Sequence, residues 1–235
     1  SEHNRERLAQ TAGEWAREKT HVVHCGVSPA LYSPRPADVR RGEQFEILNI
    51  GSLQPYKGHP HLIRACALLR DRGVPVHCRI IGQGQERKRL ELMIAAAGLE
   101  GVVELLGPRT EEEIALILQK VDCYAQPSII TTSGKMEGIP VALMEALACA
   151  LPVVATSISG VPELGRSGET GFLVPPTDEP ALADALAAVY ADPEGAVQRG
   201  IAGRELVLRE FDLRANVACL ASLFESVSRT RRFAR

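Results

Sequence analysis

The sequence predicts an α/β domain in which a parallel sheet lies between two layers of helices. Strand-like and helical patterns alternate along most of the 235 residues, as expected when helices connect parallel strands. The strand-like segments are short and almost entirely apolar, which is typical of strands buried on both faces. These two observations favour a Rossmann-like three-layer α/β/α fold.

Each element is assigned from its own pattern. Apolar segments that end near Gly, Pro or Ser predict strands over His21–Val27, Phe45–Leu53, Val76–Gly82, Val102–Gly107, Cys123–Ser128, Pro152–Ser157 and Gly171–Pro176. Apolar residues at helical spacing predict helices over about His59–Arg72, Gln85–Ala97, Thr110–Lys120, Pro140–Cys149 and Asp178–Ala191. The sequence contains no internal repeat or low-complexity tract.

The two ends of the chain carry one-sided apolar stripes. Leu8, Ala12 and Trp15 form one stripe on a charged helix, and the second consists of Leu213, Val217, Leu220, Phe224 and Val227. Each stripe needs a surface to cover it, and periodicity alone favours packing on this same domain. The basic tail "RTRRFAR" is interpreted as a solvated end, with contact to anionic lipid as the alternative.

Composition places the chain among ordinary globular proteins. It is 45% hydrophobic and 24% charged, which excludes disordered and fibrous classes, and its net charge of −2 gives no electrostatic case for a nucleic-acid partner. No signal peptide or membrane segment is predicted, and the start "SEHNRERL" looks like a cut in a longer chain. Most cysteines lie in apolar patterns without C-x-x-C spacing, so we expect reduced core thiols at Cys25, Cys66, Cys78, Cys123, Cys149 and Cys219.

Glu145 is the only charged residue between Gly138 and Ala155. Pro140 and Pro152 divide this run into a helix, a turn and a buried strand, so a membrane span is disfavoured. Glu145 then lies about a turn and a half inside a buried helix. Because an unpaired buried carboxylate costs several kcal/mol, Glu145 is expected to face a partner.

The loops that follow the strands are expected to hold the function, because open α/β sheets bind ligands at the carboxyl ends of their strands. Lys57 and Gly58 precede a helix and could meet a phosphate, although this motif taken alone favours a solvated loop cation at Lys57. Gly82 and Gly84 form G-x-G, but Arg87 occupies the last position of the full G-x-G-x-x-G motif. A close-packed turn explains the two glycines, and NAD binding is disfavoured.

The loop before the Glu145 helix contains a second carboxylate, Glu137. We expect the two carboxylates on the order of 10 Å apart, which is too far for a shared proton and suits an elongated polar ligand. Carboxylates accept the hydroxyls of sugar diols, and the helix N-terminus between them attracts a phosphate. The alternative is a buried Glu145 paired with a structural Arg or a backbone amide.

These residues resemble a known family. The segment "MEGIPVALMEALACALPVVATSISGVPELGRSGETGFLVPPTDEPALADAL" is similar to the C-terminal half of the retaining, nucleotide-sugar-dependent glycosyltransferases of the GT-B fold, family 4, also called group 1. The likeness extends through "HVVHCGV", "IGSLQPYKG", "IIGQGQERKRLE" and "ELLGPRTEEEI". The variant "EGIPVALMEA" is similar to enzymes that build bacterial exopolysaccharides and cell-surface glycans.

The resemblance implies a role for each matching residue. Glu137 would contact the hydroxyls of the donor sugar, and Glu145 would hold the ribose. Lys57 would neutralise the diphosphate. Many members carry a second cation, an Arg, where Ser52 stands, so in this chain only the hydroxyl of Ser52 would lie beside Lys57. The backbone of Gly138 and Ile139 would lie near the sugar or diphosphate. The nucleobase would be flanked, largely through backbone contacts, by Gly107, Pro108 and Arg109.

The resemblance also implies parts that this sequence lacks. The family uses an N-terminal domain for the acceptor and the catalytic group, so the catalytic residues are expected outside this chain, while His59 and His61 are expected to be surface residues. Pro140 stands where Gly is frequent. Residues 1–20 would be a remnant of the missing domain, 21–211 the nucleotide-sugar domain, and 212–235 a crossover helix and tail. Without its partner, the stripe on this last helix would be uncovered.

The predicted function is donor binding for retaining transfer from a UDP- or GDP-sugar to a glycan or lipid-linked acceptor. No cofactor and no strict metal requirement are expected, since Lys57 and the helix N-terminus meet the diphosphate charge. A nucleotide-sugar epimerase of the same fold and a non-catalytic binding module remain as alternatives. The expected location is cytoplasmic, with contact at the inner membrane face left open.

Overall fold

The computed structural model describes residues 1–35 and 42–233, and in these residues six strands form one sheet. The strands are β1 (Phe45–Ile50), β2 (Val76–Ile81), β3 (Val103–Gly107), β4 (Cys123–Gln126), β5 (Val153–Thr156) and β6 (Gly171–Val174). Their order is β3-β2-β1-β4-β5-β6, and each neighbouring pair is parallel. The predicted α/β class and parallel sheet are confirmed.

Helices cover both faces of the sheet. The helices are α1 (Glu2–Ala12), α2 (Glu14–Lys19), α3 (His59–Asp71), α4 (Arg87–Ala96), α5 (Glu111–Leu118), α6 (Val141–Ala148), α7 (Glu179–Ala191), α8 (Pro193–Glu210) and α9 (Leu213–Phe233). Short 3₁₀ turns lie at Pro55–Lys57 and Val161–Glu163. The five helices predicted for the core are present, each within about two residues of its expected ends.

Two apolar cores lie on opposite faces of the sheet because successive strand residues point to opposite sides. Ile47 of β1 packs with α3, α4 and α7, whereas its neighbour Leu48 packs with α5 and α6. Every residue of β4 and β5 is buried. The central strands are therefore enclosed on both faces, as their apolar sequences predicted.

The strand predicted over residues 21–27 is wrong. Only Val27 of this segment is buried, and it forms a single parallel bridge to Asp212. The Val27 N–H donates to the carbonyl of Phe211, and its carbonyl accepts from the N–H of Leu213. The segment therefore runs against the junction of α8 and α9 and does not join the sheet, which leaves Cys25 exposed rather than in the core.

Helix α8 was not predicted, because its contact face is built partly from glycine. A Cβ on Gly200 would lie 2.1 Å from the carbonyl oxygen of Ala150, and one on Gly203 would lie 2.4 Å from Cδ2 of Leu147. Glycine lowers helix propensity and contributes no apolar side chain to the pattern. The close approach of α8 to α6 thus requires glycines, and these glycines remove the apolar periodicity by which a helix is predicted.

The apolar stripes at the ends of the chain are exposed. The first predicted helix is interrupted at Gly13, whose φ is +102°, and Leu8 and Trp15 are exposed. The α9 stripe is exposed at Leu213, Val217, Leu220 and Phe224, whereas the side chain of Val227 lies outside the described part. Packing of both stripes on this domain was therefore a wrong expectation, and an uncovered α9 stripe is confirmed.

The cysteines divide into two groups. Cys66, Cys78, Cys123 and Cys149 are buried free thiols, as predicted, whereas Cys25 and Cys219 are exposed free thiols. In the described part of the chain, no helix combines the length and the apolar content that crossing a membrane requires.

Candidate functional site

The candidate site lies where the order of the strands reverses. In the sheet β1 lies beside β4, although their connections lead to β2 on one side and β5 on the other. The chain therefore leads away from β1 and β4 toward opposite sides of the sheet, and the crevice at the carboxyl ends of these two strands is where open α/β sheets bind ligands. Lys57 lies on the loop after β1 and Glu137 on the loop after β4.

The two loops are fitted closely to each other. The N–H of Ile129 donates to the carbonyl of Tyr56 at 2.9 Å. Gly58 has a left-handed φ of +71°, and a Cβ there would lie 1.8 Å from the carbonyl oxygen of Pro127. Only glycine fits this position, so the backbone itself requires Gly58 next to Lys57.

Lys57 and Glu137 form a salt bridge across the crevice. The Nζ of Lys57 lies 2.7 Å from Oε2 of Glu137, and the side chains are only 14% and 12% exposed. The hydroxyl of Ser128 donates to the same carboxylate oxygen at 3.3 Å. Two residues selected from separate motifs thus meet in space, and the alternative of Lys57 as a solvated loop cation is wrong.

A chain of buried hydrogen bonds supports Glu137 from inside the sheet. The hydroxyl of Tyr124 donates to Oε1 of Gln126 at 2.6 Å, and Nε2 of Gln126 donates to the hydroxyl of Ser128 at 2.8 Å. Gln126 and Ser128 are fully buried. Burial raises the pKa of Tyr124, and the carboxylates of Glu145 and Glu137 raise it further. No local motif predicts this network, although two polar residues within an apolar strand pattern could have indicated it.

Glu145 faces a partner, as expected, and that partner is Tyr32. Burial raises the pKa of Glu145, the hydrogen bond from the Tyr32 hydroxyl lowers it, and the nearby charge of Glu111 raises it again. The net result is a pKa above the ordinary value of a glutamate. The hydroxyl of Tyr32 also lies 3.4 Å from Oε1 of Glu111. The structure thus supplies a phenol instead of the Arg or backbone amide considered from the sequence.

Tyr32 is held firmly between α5 and α6. Its side chain is 1% exposed, and Arg204 donates both to its carbonyl oxygen and to that of Ala148 at the end of α6. Burial and the charges of the two carboxylates raise the pKa of Tyr32 far above its ordinary value, so its hydroxyl stays protonated as a donor. Neither Tyr32 nor Glu111 was selected from the sequence, because no local motif joins them to Glu145.

The remaining predicted site residues lie at the same edge of the sheet. Ser52 and Gly138 are exposed, and Ile139 is half-buried. Gly107 ends β3 with a φ of +74°, while Arg109 is exposed and donates to the carbonyl of Pro108 at 2.8 Å. The sheet order places β2 between β3 and β1, so residues 107–109 follow a strand that is not adjacent to the Lys57–Glu137 pair.

The G-x-G pair fills a packing role. A Cβ on Gly82 would lie 1.9 Å from the carbonyl oxygen of Gly51, and one on Gly84 would lie 2.4 Å from that of Leu53. These distances leave no room for a side chain. The interpretation of the two glycines as a close-packed turn is confirmed.

His59 is fully buried, so its prediction as a surface residue is wrong. Burial lowers the pKa of His59 to about 4, and the positive charge of Lys57 contributes to the decrease. Neither ring nitrogen has a hydrogen-bond partner among the described residues. His61 is half-buried and joins α3 to α7 through a 2.8 Å contact between its Nδ1 and Oε1 of Glu179.

Residues 35–206 match the family described as glycosyl transferases group 1. The chain belongs to this family. In the described part of this family member, no group of three or more His, Cys, Asp or Glu residues is placed to hold a metal ion.

Similar proteins extend beyond the part that this chain covers. The chain is 38% identical over 212 residues to Escherichia coli (strain K12) WcaL, which carries the name of a colanic acid biosynthesis glycosyltransferase, and the match covers 90% of this chain and 52% of WcaL. It is 35% identical over 211 residues to the amylovoran biosynthesis glycosyltransferase AmsK of Erwinia amylovora, and that match again covers 90% of this chain and 52% of the relative. The chain thus spans about half the length of these curated relatives.

A solved structure of similar fold contains a nucleotide. Anabaena HepE in complex with UDP and glucose superposes with a TM-score of 0.81 at 26% identity, over 94% of this chain and 61% of the HepE chain.

Proposed function

We propose that this chain binds the nucleotide diphosphate sugar that serves as donor for a retaining glycosyltransferase. The observation that carries the proposal is the meeting of Lys57 and Glu137 at the strand-order reversal of a group 1 chain. A cation and a carboxylate side by side match a ligand in which an anionic diphosphate is joined directly to a polyhydroxyl sugar.

The diphosphate would bind between Lys57 and the start of α6. The Lys57 ammonium supplies a positive charge, and no side chain caps the N-terminus of α6 at Pro140. Backbone N–H groups in the first turn of a helix attract anions, as does the helix dipole. Gly138 is exposed beside this turn and lets the ligand approach the backbone. Together these groups would attract the diphosphate, and no strict requirement for a metal ion is expected.

The sugar and the nucleoside would lie on either side of the diphosphate. Glu137 would accept hydrogen bonds from the sugar hydroxyls, and Glu145, oriented by Tyr32, would accept from the ribose hydroxyls. The loop at residues 107–109 would flank the base. HepE was solved in complex with UDP and glucose, so UDP and UDP-glucose are the first ligands to test against GDP and GDP-mannose.

Calorimetric titration of the 235-residue chain tests this proposal. We expect saturable binding of either UDP or GDP, with and without a chelator, and weaker binding by Lys57→Gln. Lys120→Gln provides a matched control, because Lys120 is exposed and precedes β4, at the opposite edge of the sheet. A folded chain that binds neither nucleotide, or Lys57→Gln with unchanged affinity, would contradict the proposal.

A further inference from the structure

Lys135 places a second ammonium group beside the crevice. It lies on the loop between β4 and α6, and its Nζ is 4.7 Å from the centroid of the Tyr56 ring. The Nζ of Lys57 is 5.3 Å from the centroid of the same ring. Aromatic rings attract cations at such distances. Tyr56 is therefore in contact with the ammonium groups of two lysines that come from two different loops.

The backbone of Lys135 is fixed in a closed turn. The N–H of Lys135 donates to the hydroxyl of Thr131 at 3.0 Å, and the N–H of Thr131 donates to the carbonyl of Lys135 at 2.9 Å. The same loop is joined to Tyr56 through the N–H of Ile129. Lys135 is thus held two residues before Glu137, at the edge of the proposed donor site.

The balance of charge in the crevice gives Lys135 a role. Glu137 neutralises Lys57 at 2.7 Å, and Ser52 contributes only a hydroxyl. Lys135 is exposed, and within residues 1–35 and 42–233 no carboxylate forms a salt bridge with it. A diphosphate carries several negative charges at neutral pH, so one neutralised lysine leaves part of that charge without a counterpart.

We infer that Lys135 is a second cation for the diphosphate of the donor and acts together with Lys57 across the Tyr56 ring. The inference rests on the proposed function of the site and names the group that supplies positive charge where Ser52 cannot. The Thr131–Lys135 turn fixes the backbone of Lys135, and its exposed side chain would turn from the ring to the phosphate oxygens when the ligand binds.

Calorimetry with UDP and GDP, each compared with its nucleoside, tests the inference. Because Lys135 is exposed, we expect Lys135→Gln to weaken binding of the preferred nucleotide diphosphate about 3- to 10-fold and to leave the nucleoside unaffected. Lys135→Arg should restore most of the affinity, and Lys120→Gln should behave as wild type. The loss should shrink at high salt, where the charge of Lys135 is screened.

Variants of Tyr56 test the contribution of the ring. Tyr56→Phe keeps the ring and should bind UDP as wild type does, whereas Tyr56→Leu should lose about 2- to 5-fold because the two ammonium groups are no longer held. Circular dichroism and thermal unfolding of each variant establish that it is folded before its affinity is compared.

Distinct outcomes separate this inference from the proposed function. If wild type binds neither UDP nor GDP, the proposed function fails and the inference fails with it. If wild type binds and Lys135→Gln binds equally well, only the inference is overturned. An equal loss for the nucleoside would show a structural role instead. UDP-glucuronic acid is titrated as a further ligand. A loss by Lys135→Gln with this ligand but not with UDP would assign Lys135 to an acidic sugar and would also overturn the inference.

Discussion

Lys57 and Glu137 come from loops after two different strands, yet their charged atoms lie 2.7 Å apart. Each residue thereby limits what the other can do in the free protein. The Glu137 carboxylate pairs with the ammonium that would otherwise bind the diphosphate. In the same way, the Lys57 ammonium pairs with one carboxylate oxygen that would otherwise accept a hydrogen bond from a sugar hydroxyl. Binding of the proposed ligand would therefore require exchange of the salt bridge, with Ser128 as a further partner for Glu137.

Substitution of Glu137 should separate the sugar from the diphosphate. Glu137→Gln removes a charged acceptor of the sugar hydroxyls, so we expect about ten-fold or greater loss of affinity for the nucleotide sugar. Affinity for the bare nucleotide diphosphate should be unchanged or higher, since Lys57 is released from its partner. Calorimetry with both ligands measures the difference, and equal losses for the two would show that Glu137 is not a sugar contact.

Substitution of Glu145 should weaken binding of every ligand that contains the ribose. A hydrogen bond to a charged acceptor contributes about 1.5 to 3 kcal/mol, so Glu145→Ala should lose roughly one to two orders of magnitude in nucleotide affinity. Titrations of the folded variant with UDP and GDP provide the measurement. Unchanged affinity for both nucleotides would remove Glu145 from the site.

Removal of the Tyr32 hydroxyl should change the pH dependence of binding. Burial raises the pKa of Glu145, and the hydrogen bond from Tyr32 lowers it, so Tyr32→Phe should raise the pKa of Glu145 further. Nucleotide affinity, which needs the ionised carboxylate, should then fall at a higher pH as the solution is acidified. Glu111→Gln should shift the curve to lower pH, because it removes a neighbouring negative charge.

Comparison with Glu145→Gln separates the pH dependence that comes from Glu145 from the pH dependence that comes from the phosphates of the nucleotide. That variant has no carboxylate at position 145, so adding Tyr32→Phe or Glu111→Gln to it should leave the binding curve in place. A shift of equal size in the Glu145→Gln background would assign the pH dependence to another group.

His59 should reduce the stability of the protein in acid. Its pKa is lowered to about 4 in the folded state from an ordinary value near 6.5, so the unfolded chain binds the extra proton first. The stability that depends on neutral His59 is fully present above the pKa that His59 has in the unfolded chain. It is lost as the pH falls toward the pKa that His59 has in the folded protein. At about 1.4 kcal/mol per pKa unit, acidification from pH 7 to pH 4.5 should cost roughly 2 to 3 kcal/mol through His59.

Urea unfolding of wild type and His59→Leu at both pH values measures this cost. The variant should lose less stability than wild type on acidification, by roughly the same 2 to 3 kcal/mol. His21→Leu serves as the control, since it removes an exposed histidine outside the core. A pH dependence that is identical in wild type and His59→Leu would show that His59 does not titrate as its burial implies.

Binding without transfer is expected for these 235 residues. Holding donor and acceptor in reacting geometry lowers the barrier by about 7 to 11 kcal/mol, and the chain covers about half the length of its curated relatives. Radiolabelled donor with a mixed pool of lipid-linked acceptors provides the assay. Robust transfer by this chain alone would mean that the catalytic group lies within it, and conversion of the donor without an acceptor would favour an epimerase.

Local sequence was sufficient for the layered fold and for the first members of the site. The central strands were recognisable because burial on both faces demands apolar residues throughout, and the loops after them follow from the rule for parallel sheets. Glu145 was recognisable because a charged side chain inside a buried helix requires a partner that compensates for its burial. The segment at residues 21–27 was misassigned because a half-exposed extended segment has the same residue pattern as a short strand.

Only the tertiary structure decided which distant groups meet. The sheet order brings the loops after β1 and β4 together, so Lys57 contacts Glu137 although nothing in either motif specifies the other. Packing of α5 and α6 around Tyr32 gives Glu145 its partner, and closure of α3 on the sheet buries His59. A sequence pattern records how each residue relates to its near neighbours along the chain, whereas pairing, burial and pKa depend on atoms that the fold brings from elsewhere.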